Sequence, residues 1–154
     1  MATRYKFRFI NESQLIEAAA LLVAEKMANY GDAFTRPEDA KKLFRLRLAN
    51  KQHEEMHIAY LDNQHRLIQV ETHTKGTIDG ARVYPRTIAQ AALKLNAAAV
   101  ILAHNHPSGA TEPSGSDERV TRDIKAVLDL IDVRLLDHLI IGDSTTSFAE
   151  RGLL

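Results

Sequence analysis

Four residues in one short stretch, His104, His106, Ser114 and Asp117, have types and spacing that could do chemistry. Two histidines and a carboxylate at these positions have the spacing of a zinc site. The preceding run, residues 97 to 103, is apolar and β-branched in its middle, which predicts a buried strand delivering both histidines to its C-terminal end. Residues i and i+2 of a strand share a face, so both imidazoles can reach one metal while Asn105 faces away. Pro107, Ser108 and Gly109 break the strand, and the chain returns through Pro113 to a helix with Asp117 in its first turn. Three protein ligands leave the fourth tetrahedral position of zinc for water, which is the mark of a catalytic site. A bland account also exists. Ser114 and Asp117 read as a capping box, and the histidines as surface residues beside a turn. It explains each half separately and gives no reason for their conjunction. The adjacent letters His-Asn-His also invite a nuclease reading, but in that nuclease family the three residue types are dispersed over a ββα unit.

The elements needed to hold such a site follow from the surrounding pattern. With 154 residues, 45% of them hydrophobic, the chain can bury a full core, and no apolar run approaches the ~20 residues a membrane-spanning helix needs. There is no charged-apolar-small leader at its start, so the expected location is cytoplasmic. It has no cysteine, which excludes disulfides and thiolate metal sites and leaves the His/His/Asp set as the metal constellation. Lys+Arg and Asp+Glu are 20 each, a balance with no global attraction to nucleic acid.

Asn11 with Gln14 predicts a first helix carrying Leu15, Ile16, Ala19, Leu22, Val23 and Met27 to about Tyr30, stopped by Gly31-Asp32. Thr35 to Glu38 reads as a second capping box, opening a helix with Leu43, Phe44, Leu46 and Leu48. Its Lys41, Lys42, Arg45 and Arg47 read as a solvated face rather than a DNA contact. From residue 54 the order is strand, turn at Asp62-Asn63, strand, a loop with Gly76 and Gly80, a helix from about Pro85 to Asn96, and the buried strand into His104. The motif loop, a helix from Gly115 to about Leu130, a strand to Ile141, a turn at Gly142-Asp143 and a last short segment complete it. Helices between strands imply an α/β layered domain with a mixed sheet and the site at the carboxyl end of a central strand.

The motif stretch resembles the JAMM (MPN-plus) metalloprotease motif, written His-x-His-Pro, seven residues, Ser, two residues, Asp; His106, Ser114 and Asp117 fit that count without a gap. A longer string resembles the RadC branch in particular. It runs from Val83-Tyr-Pro-Arg86 through residues 91 to 109, then Asp137-His-Leu-Ile-Ile-Gly142 and Ser147-Phe-Ala-Glu-Arg-Gly152, and covers about two thirds of the chain, residues 53 to 154. The resemblance implies a JAMM/MPN-like (cytidine-deaminase-like) α/β domain at 51–154, with a helical N-terminal extension at 1–50 packed on the sheet or on a second subunit. It implies His104, His106 and Asp117 as zinc ligands, Ser114 as oxyanion donor, and a glutamate general base opening the strand before the metal strands. Glu54 fits that place, with Glu55 and Glu71 as alternatives. Long RadC proteins carry a helix-hairpin-helix module that is not visible here, so the chain resembles the short stand-alone members.

Asp137 and His138 lie in an apolar segment. They read as core residues satisfying each other or the backbone, the alternative being that one orients a ligand. His53, His57, His65 and His73 lack ligand spacing and read as surface. The expected function is zinc-dependent hydrolysis of a peptide or isopeptide bond in a peptide or protein substrate. The alternative, from a different class, is a DNA repair or recombination accessory without hydrolytic activity. Weak or no nucleic-acid binding, no membrane and a homo-oligomer are the accompanying expectations.

Overall fold

A computed structural model describes residues 11–30, 34, 36–75 and 83–154, without the side chains of 24–25, 27–30 and 74–75. The expected helix stop at Gly31-Asp32 and the loop glycines Gly76 and Gly80 lie outside the described residues. The elements are α1 (Glu12–Tyr30), α2 (Pro37–Leu48), β1 (Glu55–Leu61), β2 (Leu67–Lys75), α3 (Pro85–Lys94), β3 (Ala99–Asn105), α4 (Gly115–Asp129), β4 (Arg134–Ile141) and β5 (Thr145–Ser147). None of these helices is long and apolar enough to cross a membrane.

The strands form one mixed sheet in the order β2-β1-β3-β4-β5, in which only the β3–β4 pairing is parallel. That pairing needs a crossover, and α4 supplies it. The interior strands β1 and β3 are buried at every residue, as expected of strands covered on both faces. On one face Phe44, Leu43 and Leu48 of α2 pack on Ala59, Ile101 and Leu139, with Val23 of α1 against them. On the other, Ile88 and Ala92 of α3 and Ile124 and Leu128 of α4 pack on Ile58, Val100 and Leu102. The N-terminal helices therefore cover the sheet, as one of the two expectations had it.

Asn11 caps α1 by accepting the Gln14 N–H at 3.0 Å. The start of α2 differs from expectation. Arg36 is extended at the cap position and makes no side-chain cap bond, and Pro37 opens the helix; Thr35 lies outside the described residues. Proline, with φ preset and no N–H to leave unpaired, supplies the start signal credited to a capping box. In α4 the buried residues Asp117, Thr121, Ile124 and Leu128 form one stripe. Its apolar end faces the core and its polar end the histidines of β3 and β4.

Candidate metal centre

β3 ends in the motif. His104 is 1% exposed on the α4 side, while Asn105 lies on the other face at 2%. His106 follows the strand, its N–H bonded to the Ile141 carbonyl at 2.9 Å. The start of α4 faces them. Ser114 Oγ accepts the Asp117 N–H at 3.1 Å, and Asp117 Oδ2 accepts both the Ser114 N–H and its hydroxyl at 2.7 Å. The expected capping box is present, with its carboxylate turned into the sheet end. Asp117 Oδ1 lies 3.2 Å from His104 Nε2, Oδ2 lies 3.6 Å from His106 Nε2, and the two Nε2 atoms are 3.0 Å apart. Burial alone would raise the Asp117 carboxyl, but the contacts from His104 and Ser114 outweigh it and hold the carboxyl well below the usual range.

Each imidazole is also held from behind. His106 Nδ1 donates to the Ala110 carbonyl at 3.0 Å. A carbonyl only accepts, so this bond leaves the neutral ring's Nε2 with a lone pair toward Asp117. The loop carrying Ala110 is pinned to the turn after β4. Asp143 N–H donates to the Gly109 carbonyl at 2.9 Å, Gly109 has φ +84°, and a Cβ there would stand 2.7 Å from the Asp143 carboxylate. His104 Nδ1 lies 2.8 Å from His138 Nε2, whose own Nδ1 lies 2.6 Å from Thr121 Oγ1. Complete burial pushes His138 far below the ordinary histidine range. Of the pair read as core polar residues, Asp137 behaves so, accepting from Ser147 Oγ and from the backbone N–H groups of His138 and Ala149. His138 does not. Its ring backs a histidine of the site, which is the reading that the sequence left as the alternative.

The Glu54 carboxylate joins the two imidazoles and Asp117, with one ligand atom from each of the four lying within 4.8 Å of the others. Glu55 instead pairs with His57 at 2.9 Å on the opposite face, and Glu71 accepts from Gln69 at 2.7 Å out on β2. Asn105 holds Glu54 in place. Its Oδ1 accepts the Glu55 N–H at 2.9 Å, and its Nδ2 donates to the His53 carbonyl at 3.0 Å and the Lys51 carbonyl at 3.4 Å. Its facing away from the histidines was foreseen and its clamp on the Glu54 segment was not. A buried amide must spend its donors and acceptor on something, and that was the available signal.

The sequence model of the RadC-like JAB domain matches residues 34–153. The chain belongs to the RadC family. It is 47% identical over 143 residues to a UPF0758 protein of Vibrio cholerae serotype O1, covering 93% of this chain and 90% of that protein. UPF0758 proteins of Thioalkalivibrio sulfidiphilus and Methylibium petroleiphilum are 49% and 48% identical over 140 and 141 residues. Those matches take in 91% of this chain, which spans only 62% and 63% of the two relatives.

In this RadC-family chain the donor set fits a metal ion. Ligand atoms ~2.1 Å from a tetrahedral ion stand about 3.4 Å apart. The separations of 3.0, 3.2 and 3.6 Å bracket that value. Two imidazoles and a carboxylate suit zinc among several divalent ions.

Of the four histidines read as surface, His53 is exposed as expected, and the other three correct the reading. His57 is 2% exposed and tied to Arg47 Nε, Glu55 and Thr72. His65 is half-buried, and so is His73, which bonds the Tyr60 hydroxyl at 2.8 Å. The basic residues of α2 are not one solvated face either. Lys41 bonds Glu38 and Glu150, and Arg47 is half-buried on His57, whereas Lys42 and Arg45 are exposed.

Proposed function

We propose that this RadC-family chain is a zinc-dependent hydrolase of peptide or isopeptide bonds. The observation that carries the reading is the convergence of Glu54 on the His104–His106–Asp117 cluster while Glu55 and Glu71 are engaged elsewhere. When bound, a zinc ion supplies Lewis acidity toward water and a scissile carbonyl. His104, His106 and Asp117 would hold it. Glu54, exposed at the mouth and held through Asn105, takes the proton from the attacking water and returns it to the leaving nitrogen. Ser114 carries two duties. Its hydroxyl proton rests on Asp117 Oδ2, so serving the developing oxyanion requires it to turn from that oxygen toward the substrate.

A peptide or protein substrate is the partner this reading requires. A DNA accessory role draws little support from α2, where Lys41 and Arg47 are committed to other side chains. The test is cleavage of a peptide library by zinc-loaded protein, with Glu54→Gln and Asp117→Asn beside the parent. Glu54→Gln keeps its zinc and loses most hydrolysis, whereas Asp117→Asn loses zinc itself. Undiminished cleavage by Glu54→Gln removes the base from the mechanism, and tight DNA binding at ~0.15 M salt without any cleavage favours the accessory role.

A further inference from the structure

The contacts behind His104 determine where each proton among them must lie. The Thr121 hydroxyl oxygen stands 2.6 Å from the main-chain carbonyl oxygen of Asp117 and 2.6 Å from His138 Nδ1. Two bare acceptor atoms do not approach so closely, so each contact needs its own proton. The carbonyl has none to give and the hydroxyl has one. That proton goes to the carbonyl, and the proton of the second contact belongs to His138 Nδ1. The His138 ring is 0% exposed and its two hydrogen-bond partners are a hydroxyl and an imidazole, with no carboxylate to balance a charge. A neutral ring with its proton on Nδ1 has a lone pair on Nε2. His104 Nδ1, 2.8 Å from that lone pair, is therefore the donor. The remaining nitrogen of His104, Nε2, then carries a lone pair toward Asp117 Oδ1.

We propose that Thr121 and His138 are positioning residues, a proton-ordered chain running from the Asp117 carbonyl to His104 that holds its Nε2 open for a metal ion. The proposal rests on the metal-centre reading and extends it to two residues outside the ligand set. Its logic lies in the scaffold. One turn of α4 separates the Asp117 carboxylate from Thr121, so a single helix supplies a ligand and sets the tautomer of another. A β-bulge supplies the rest. Val100 pairs with Leu135 but Ile101 pairs with Asp137, which leaves Leu136 as an extra residue and turns His138 to the α4 face. With an unbroken register the side chain at 138 would point into the opposite core.

Thr121→Val keeps the side chain's shape and removes the acceptor for His138 Nδ1–H. A buried N–H without a partner is costly, and the ring escapes by moving its proton to Nε2, which forces the His104 proton onto its own Nε2. Zinc affinity, measured by chelator competition, then falls about 10- to 100-fold, while Thr121→Ser, which restores the hydroxyl, stays within a few-fold of the parent. Nitrogen NMR on isotope-labelled, zinc-free protein above the ~6.5 range of imidazole gives a readout that activity does not touch. Parent and Thr121→Ser show Nδ1–H at both His104 and His138, and Thr121→Val shows both reversed. Parental zinc affinity in Thr121→Val, or Nε2–H at His104 in the parent, overturns the proposal. Parent protein with the ordered tautomers that takes up no zinc leaves the chain of protons standing and overturns the metal-centre reading instead.

Discussion

Beneath α4, on one face of the sheet, His104, His106 and Asp117 converge at the end of β3. Beneath α1 and α2, on the other face, His57 and Glu55 meet Arg47 and Thr72 at the start of β1. Both clusters combine imidazole and carboxylate, and both are buried. Their difference lies in how donors and acceptors balance. Arg47 Nε donates to His57 Nδ1 at 3.2 Å, which leaves Nε2–H to serve Glu55 at 2.9 Å, and Lys51 lies 3.9 Å from the same carboxylate. That network completes itself. In the other, the carbonyl behind His106 and the Thr121–His138 pair behind His104 draw the ring protons outward, so lone pairs and a carboxylate face one another. Residue types alone do not mark a metal centre; an excess of converging acceptors does.

The sharpest way to break the comparison is to remove one member from each cluster and measure zinc. His106→Ala takes away one of three ligands, and its affinity should fall by more than the ~100-fold that losing a partner behind a ligand costs. Glu55→Gln, on the other face, should bind zinc as the parent does. If His106→Ala retains parental zinc by elemental analysis, the site is misassigned and the contrast between the faces fails with it.

Asn105 lies on the Glu55 face yet serves the Glu54 segment, so it tests how far the two clusters are separate. Asn105→Ala strands the Glu55 N–H and the His53 carbonyl, a loss of roughly 1–3 kcal/mol in denaturant unfolding. Zinc should stay bound, while any cleavage drops by up to about 100-fold as the Glu54 carboxylate loses its placement. An equal loss of zinc would mean that the two faces are coupled through β3.

The sequence made the α4-face cluster legible because its members are close in the chain and strand and helix periodicity fix their directions. His104 and His106 share a strand end, and Ser114 and Asp117 share a helix turn. The sheet was legible for a similar reason, since residues 97 to 103 admit little besides a buried strand. What stayed hidden depends on contacts across elements. The His138 ring reaches His104 only because of the bulge at Leu136, which a register counted in twos cannot foresee. His57 read as surface because its partner Arg47 arrives from α2, ten residues earlier, and nothing in the alternation of β1 reveals a buried cation. Glu54 is one choice among three in the sequence, because its nearness to the cluster depends on the pairing of β1 with β3, which brings Met56 opposite His104 and sets the residues before β1 beside the histidines.

The finest contrast between the faces is their response to acid, and His57 isolates it. Burial depresses its pKa first of all; the bond to Glu55 pulls the other way, and the charges of Arg47 and Lys51 reinforce the depression. The groups facing it are these three, with Glu17 lining the same small cavity. A histidine depressed in the folded state binds a proton more readily when unfolded. Its contribution is therefore fully present above the unfolded value near ~6.5 and is lost as pH falls toward the folded value. His57→Gln should cost roughly 1–3 kcal/mol at pH 8, where the ring accepts from Arg47 and donates to Glu55. The variant has no ring to charge at this position. Its deficit against the parent should hold from pH 8 to about 6.5 and narrow below that as denaturant melts are repeated down to pH 5. Zinc affinity at pH 8 should be unchanged, because the His57 ring lies across the sheet from the ligands. A deficit constant over that range would mean that His57 binds its proton equally readily in the folded and unfolded states, and the buried network on this face would then not be an acid-labile joint.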